Sequence, residues 1–322
     1  MIDVLIVKTS SLGDVVHALP VLTDIQRVHP DWKVAWMVEE SFQDLPRLHP
    51  FCGEVIPVAT RRWRKSLTSP ATQTEMSKLR LRLKEIHPRY VLDLQGLVKS
   101  AALAWLSPGI HLGYRWGSAR ENLATLLYDQ GFSVSWKQHA VERNRMLAAA
   151  ALGYDIVEKQ CDYGVYNHAS LGPIKAALLI HSSSWQTKLW PDESWIELGQ
   201  ALNQHGMYCI LPSGSSNEWE RAQRLAQHIP GARAIPPGSL GAFVAELGRV
   251  SMVVGVDTGL THLAAASALP TVALYRVTDP AATGVYGSAR AINLGGKDAC
   301  PSVKEVLLTL QTLGCISALD RA

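Results

Sequence analysis

Three features of the sequence predict an α/β fold of two doubly wound, Rossmann-like domains facing across a cleft. At 322 residues the chain exceeds the size at which one hydrophobic core usually keeps growing. It holds two successive series of short apolar runs alternating with helical patterns, as parallel sheets covered on both faces require. Between the series, residues 153–173 show mixed polarity and little periodicity and end on a proline, as a linker would. The expected domains are therefore residues 1–165 and 166–322.

The first series opens with Val4–Val7, a continuous apolar run that suits a strand buried on both faces. A turn through Thr9, Ser10, Ser11, Leu12, Gly13 and Asp14 follows. Val15, Leu19, Leu22, Ile25 and Val28 then fall along one face of a helix. Further strands are expected at 34–38, 55–58 and 90–94. Helices are expected at 73–86 and at 97–106, the latter stopped by Pro108 and Gly109. Two more are expected at 119–128 and 139–152. In the second series, strands at 176–180, 208–211, 252–256 and 271–275 alternate with helices. Pro191 sits where a proline at the first helical position belongs, and the first of these helices runs from Asp192 to Gly206. The others cover 218–227, 240–247, 258–268 and 302–313.

Composition narrows the function. Apolar residues make up 47% and charged residues 18%, ample for a core and far from a disordered chain. A net charge of +3 is too mild for a general nucleic-acid binder, so an anionic partner must be met by a local patch. Cys52, Cys161, Cys209, Cys300 and Cys315 are scattered and form no C-x-x-C, which argues against a disulfide framework or structural zinc. The N-terminus reads as a strand rather than a signal peptide. No apolar run approaches the ~20 residues that cross a bilayer. The expectation is a cytoplasmic protein whose membrane contact is peripheral.

In doubly wound sheets, ligands sit beyond the carboxyl ends of the strands, so the strand-to-helix turns are where chemistry is expected. At Asp257-Thr258-Gly259-Leu260-Thr261-His262 a buried strand runs directly into a helix. Its unpaired first-turn N–H groups and macrodipole form a natural phosphate seat. Gly259 lets an anion approach the backbone, Thr258 adds a hydroxyl, and His262 lies one turn on. The competing reading has Asp257 simply cap the helix and His262 pack in the core. No G-x-G-x-x-G or Walker pattern occurs in this turn. At Ser182-Ser183-Ser184, three hydroxyls leave the strand ahead of Lys188. They suit a diphosphate with the lysine as counter-charge, or else an ordinary serine-rich loop. Asp14 falls in a first helical turn, where a carboxylate is stabilising for local reasons. It is also placed to take a proton from an attacking hydroxyl. Finally, Arg61, Arg62, Arg64 and Lys65 surround Trp63 after a strand. They form either a solvated basic loop or a seat for carboxylates, phosphates or lipid headgroups. Lys99, Arg115 and Arg120 could extend it.

Taken together, residues 4–14 (VLIVKTSSLGD), 38–40 (VEE), 56–65 (IPVATRRWRK), 93–102 (DLQGLVKSAA), 138–143 (QHAVER), 188–191 (KLWP) and 256–263 (VDTGLTHL) resemble the ADP-heptose-dependent lipopolysaccharide heptosyltransferases, within the GT-B glycosyltransferases. The opening loop is closer to the enzymes that add the first heptose than to those that add the second. The resemblance is expected to run from residue 1 to about 287 and to be weak beyond.

It implies inverting transfer of L-glycero-D-manno-heptose from ADP-heptose to a Kdo sugar of Kdo-lipid A, at the cytoplasmic face of the inner membrane, with no metal and no cofactor. It implies Asp14 as general base and Ser183, Ser184 and Lys188 on the diphosphate, with Thr258, Gly259 and Leu260 at the helix end. Glu218 would lie near the ribose, His262 beside the phosphates, and Asp257 near the heptose or holding the loop. Arg61, Arg62, Arg64, Lys65 and Arg120 would face the acceptor. Serines replace the threonines common at 183 and 184. Gly238 replaces a longer side chain near adenine and leaves only a backbone contact there. In this fold the last helix commonly packs back on the first domain. The alternatives are another nucleotide-sugar glycosyltransferase, a GT-B-type sugar epimerase, and a non-catalytic glycolipid binder built on residues 61–65.

Overall fold

The computed structural model describes residues 1–156, 161–165 and 174–317. The chain divides into two compact units, Met1–Gly164 and Val165–Ala322. The linker expected over 153–173 falls largely outside the described residues.

The first unit is built on β1 (Val4–Val7), β2 (Val34–Glu39), β3 (Cys52–Val58), β4 (Tyr90–Asp93), β5 (Ile110–Tyr114) and β6 (Gln130–Phe132). They form one parallel sheet in the order β3-β2-β1-β4-β5-β6. The second unit repeats the plan with β7 (Ala176–Ile180), β8 (Tyr208–Leu211), β9 (Arg233–Ala234), β10 (Met252–Val256), β11 (Thr271–Tyr275) and β12 (Ala291–Gly295), in the order β12-β11-β10-β7-β8-β9. The expected α/β class with two doubly wound sheets is therefore present. In each sheet the winding direction reverses between two central strands, β1 and β4 in the first and β7 and β10 in the second. These are the switch points where such sheets take ligands.

The central strands explain the folding. Every residue of β1, β2, β7, β10 and β11 is buried, so each strand gains apolar contacts on both faces. Trp190 and Trp195 meet edge to face at 5.0 Å in the second core, and the Trp190 indole N–H donates to the Pro301 carbonyl at 2.8 Å. The first unit also buries an ion pair. Arg145 donates to both carboxylate oxygens of Asp24, at 2.8 and 3.0 Å, which satisfies two charges taken out of water.

Several expected elements differ. Strands β5, β6, β9 and β12 were not anticipated. Except for β5 they are edge or near-edge strands with partly exposed, mixed residues, so no continuous apolar run marks them. β5 is buried after its exposed first residue, Ile110, but its apolar run is interrupted by His111 and Gly113. The helix expected over 119–128 is only a 3-10 stretch, Asn122–Leu127, in which Ala124 alone is buried. The helix expected from Val15 is split into Leu12–Val16 and Pro20–Val28, because Pro20 has no N–H to continue the ladder. The last helix, Val303–Thr312, packs against β11, β12 and the helix Asp192–Gln204, with Val306 and Leu310 in the core of the second unit.

Candidate active site

In the second unit, β7 and β10 pair in parallel with Gly255 opposite Ile180, so the two turns leaving them start side by side. Gly255 is required here. A Cβ on it would run into Thr261 Oγ1 and come within 3.1 Å of Ile180 Cβ. Thr261 uses that space to donate to the Val256 carbonyl at 2.7 Å, tying the helix Gly259–Ala266 to the strand before it. Thr258 is the N-cap, yet its hydroxyl makes no capping bond. The first-turn amides, which have no partner within a helix, are thus not closed off by the side chain that usually does so.

Asp257 is the hub. Its Oδ2 pairs with Lys188 Nζ at 2.7 Å and accepts from Thr278 Oγ1 at 2.6 Å, while its Oδ1 lies 3.6 Å from His262 Nε2. Burial pushes the carboxyl pKa up, but His262, Lys188 and Thr278 outweigh it and hold Asp257 well below the usual range. Asp257 is not the helix cap, a position that Thr258 holds. It fixes a lysine that still has two N–H bonds to give. Ser183 Oγ donates to the Asp257 carbonyl at 3.4 Å, and Lys188 sits 5.1 Å from the Trp185 ring. The structure thus brings Ser183, Lys188, Asp257 and His262 together beside the start of the helix that carries Gly259 and Leu260. Thr278 was not anticipated. It lies three residues past the end of β11, the neighbour of β10, and inspection of that adjacent turn could have found it.

The serine loop is clamped at both ends. Arg221, from the helix Ser216–His228, donates to the carbonyls of His181 and of Trp190, the latter at 2.8 Å, and pairs with Asp192. Arg276 donates to the carbonyl of Leu189. Ser184 is exposed. Glu218, in the first turn of its helix, accepts from the Gly214 amide at 2.7 Å and so shapes the turn after β8. Gly238 lies in an exposed loop, where an added Cβ would meet nothing closer than Ala242 Cβ at 3.5 Å.

In the first unit the switch point is lined by the turns after β1 and β4. Thr9 donates its amide and hydroxyl to Gln95 Oε1, both at 2.8 Å, which binds the two turns together. Gly96, at φ +68°, takes a backbone conformation that L side chains rarely adopt. Asp14 Oδ2 accepts from the Ser11 amide and hydroxyl, both at 2.8 Å. Burial raises the Asp14 pKa, but Lys8, the Ser11 bonds and Arg120 outweigh it, and the carboxyl is held ionised below its usual range.

Lys8 and Asp93 stand in two of the segments that carry the resemblance, but neither has a role legible in the sequence. Lys8 is buried, with Nζ donating to the Leu94 carbonyl at 2.8 Å and Asn144 Oδ1 at 3.3 Å. Asp93 is fully buried and accepts from Ser100 Oγ and Tyr128 OH, both at 2.7 Å, and from the amides of Gln95 and Gly96. A lysine closing a strand looks like a solvated end in sequence, and nothing local says that it is buried.

The basic segment is ordered by a carboxylate. Glu39, ending β2, accepts from the Thr60 hydroxyl at 2.6 Å and from the amides of Thr60 and Arg61 at 3.2 Å each, so it caps the short helix Thr60–Trp63. Arg62 is paired with Glu40 at 3.2 Å and Glu75 at 2.9 Å, and Arg61 lies over the Phe42 ring. Arg64, Lys65 and Arg120 are exposed. The sequence did not distinguish Arg62, already neutralised by two carboxylates, from its neighbours.

Two parallel six-stranded sheets, each with a polar site at its switch point, define a GT-B-type arrangement, and known proteins agree. The model of glycosyltransferase family 9 (heptosyltransferase) matches residues 76–310. The chain is 43% identical over 310 residues to lipopolysaccharide heptosyltransferase 1 of Pseudomonas aeruginosa, across 94% of this chain and 86% of that one. The solved structure of the Escherichia coli heptosyltransferase WaaC with ADP superposes with a TM-score of 0.91 at 38% identity, covering 97% of this chain and 100% of the other. The same enzyme with ADP-2-deoxy-2-fluoro heptose gives a TM-score of 0.87 at 39% identity, covering 97% and 99%.

The chain is a glycosyltransferase of the GT-B fold. It belongs to glycosyltransferase family 9, the heptosyltransferases. The likeness continues past Gly287, since the family model runs to residue 310. Among the described residues, no helix is long and apolar enough to cross a membrane.

Proposed function

We propose that this protein transfers L-glycero-D-manno-heptose from ADP-heptose to a Kdo sugar of Kdo-lipid A, with inversion and without a metal ion, as a peripheral protein of the cytoplasmic face of the inner membrane. The observation that carries the reading is Lys188, locked by Asp257 beside an uncapped helix start at the β7/β10 switch point. Negative charge collects on the diphosphate as its bond to the sugar breaks, and fixed donors at that place stabilise it. Lys188, the Ser183 and Ser184 hydroxyls, Thr258 and the amides of Gly259 and Leu260 supply those donors, with His262 beside them. Glu218 takes the ribose through the carboxylate oxygen not used by Gly214, and the backbone at Gly238 borders the adenine.

Asp14 is the general base in this reading. Both of its local bonds go to Oδ2, so Oδ1 receives the proton of the attacking hydroxyl. Attack on the face opposite the leaving diphosphate inverts the anomeric centre. Arg61, Arg64, Lys65 and Arg120 receive the anionic groups of the acceptor, with Arg62 as their carboxylate-braced neighbour.

The test is a product assay of the pure protein with ADP-heptose and Kdo-lipid A, with and without chelator, and with UDP- and GDP-sugars in parallel. Formation of inverted heptosyl-Kdo-lipid A and ADP, unaffected by chelator, is expected. Turnover without any acceptor would indicate an epimerase. A strict need for divalent metal or for another nucleotide would reject the donor chemistry.

A further inference from the structure

The first unit carries an exposed apolar face that the reaction itself does not use. In the helix Val98–Ala104 the residues Val98 and Ala102, with Trp105 at the C-cap, follow the i, i+4, i+7 spacing of one helix face, and all three are exposed. Soluble helices put that stripe in the core; here Ser100, Ala101, Leu103 and Ala104 are buried instead. The 3-10 stretch Asn122–Leu127 packs beside this helix. It exposes Leu123 at 62% and Leu126 at 74%, which at i, i+3 share one side of a 3-10 turn. Trp105 and Trp116 are 64% and 61% exposed, and Trp136 is 54% exposed.

Hydrogen bonds hold the segments that carry these residues beside one another. The Val98 amide donates to Glu121 Oε2 at 2.7 Å, and the Glu121 amide donates to the Gly96 carbonyl at 2.9 Å. The Gly117 amide donates to Asn122 Oδ1 at 2.9 Å, and the Trp136 indole donates to the Gly117 carbonyl at 3.2 Å. Lys99, Arg115, Arg120 and Lys137 are exposed in the same segments. Glu121 and Asp129 stand there too, accepting from the Val98 and His111 amides and keeping their charge, so four cations face two carboxylates.

We infer that this face, Val98, Trp105, Trp116, Leu123, Leu126 and Trp136 with its rim of lysine and arginine, docks the protein onto an anionic bilayer. Tryptophan suits the headgroup boundary because its ring is apolar and its N–H polar. Leucines at the tip of a short turn enter the acyl boundary, and the cations meet anionic headgroups. The cationic rim favours a lipid surface over an acidic-rimmed protein groove. The inference rests on the lipid-linked acceptor proposed above. It adds where the membrane meets the chain, and it places Arg120, one of the proposed acceptor contacts, on the rim of that surface.

The test uses full-length protein and sedimentation with vesicles of phosphatidylethanolamine alone or with phosphatidylglycerol. It compares the wild type with the variant Trp105→Ser/Leu123→Ser/Leu126→Ser. The changed side chains are already exposed, and an unaltered circular dichroism melt checks the fold. Wild type is expected to bind the anionic vesicles and the variant to lose about tenfold or more in partitioning. With a deacylated, water-soluble acceptor the two should turn over alike. With the acylated acceptor in vesicles, the variant's KM should rise. Equal vesicle binding by the two proteins overturns the inference. So does wild type that ignores anionic vesicles, a result that would point to a protein partner for this face. Absence of any turnover on the soluble acceptor would instead count against the proposed reaction, leaving the vesicle result to judge the surface.

Discussion

Asp257 offers the sharpest test of how the proposed donor site is built. Replacing it with alanine removes the carboxylate that Lys188 meets at 2.7 Å and Thr278 at 2.6 Å. Breaking a fully buried ion pair costs about 3–5 kcal/mol, because the remaining charge is left without compensation. Lys188 keeps 18% of its side-chain exposure, so water recovers part of the loss and about 2–4 kcal/mol is expected. At roughly 2–4 °C per kcal/mol for a domain of this size, the melting temperature should fall by roughly 5–15 °C. A double-mutant cycle with Lys188→Ala isolates the pair. Its coupling, from urea unfolding of the four proteins, should be about 1–3 kcal/mol. Calorimetric titration with ADP should show both single variants weakened and the double variant little worse than Lys188→Ala, since in the proposed donor site Asp257 acts on the nucleotide through the lysine. A coupling below about 0.5 kcal/mol, or wild-type ADP affinity in Asp257→Ala, would refute the claim that this carboxylate positions Lys188.

The other expectations concern the base, the loop and the pH response. Asp14→Ala should lower turnover by ~10²–10⁴ while leaving ADP-heptose affinity within about twofold, measured by steady-state rates and titration; turnover like that of the wild type removes Asp14 from the role. Gly255→Ala should cost about 1–3 kcal/mol by forcing Thr261 away from its bond to Val256, and ADP binding should weaken with it; an unchanged melt would show that the turn has room to spare. His49 is buried, its Nδ1 accepting from the Phe51 amide and its Nε2 facing Thr23 Oγ1 at 2.8 Å, and burial pushes its pKa down to about 4. The unfolded chain binds that proton near pH 6.5, so the histidine's contribution to stability is complete above that value. It is lost as pH falls toward about 4, by up to about 3 kcal/mol. Urea titrations of wild type and His49→Gln across that range should show the variant with the flatter profile.

The two-sheet architecture was legible because the central strands are buried on both faces, and only an unbroken apolar run survives there. β7, β10 and β11 match their expected bounds for that reason, whereas β6, β9 and β12 follow no such pattern. Edge strands are held by backbone bonds that any residue can make, so their side chains carry little record of the pairing. Of the polar residues gathered at the two switch points, those in strand-to-helix turns stood out in the sequence: Asp14, Ser183, Lys188, Asp257, Thr258 and His262, whose roles are those proposed above. Thr278 did not, and the contacts of Lys8 and Asp93 were hidden although their segments were marked, since each bonds to a neighbouring strand or turn as well as to its own segment.

By itself, then, the order of residues determined the central strands and most of the helices, where the turns between them fall, and which polar groups those turns carry. Local rules of burial and period act over a few residues, and that is enough for such decisions. The tertiary structure alone decided that Asp257 grips Lys188, that two carboxylates occupy Arg62 while Arg64 stays exposed, and that Lys8 is enclosed. Ion pairing and desolvation depend on distances in space between groups far apart along the chain, and those distances exist only once the sheets have formed.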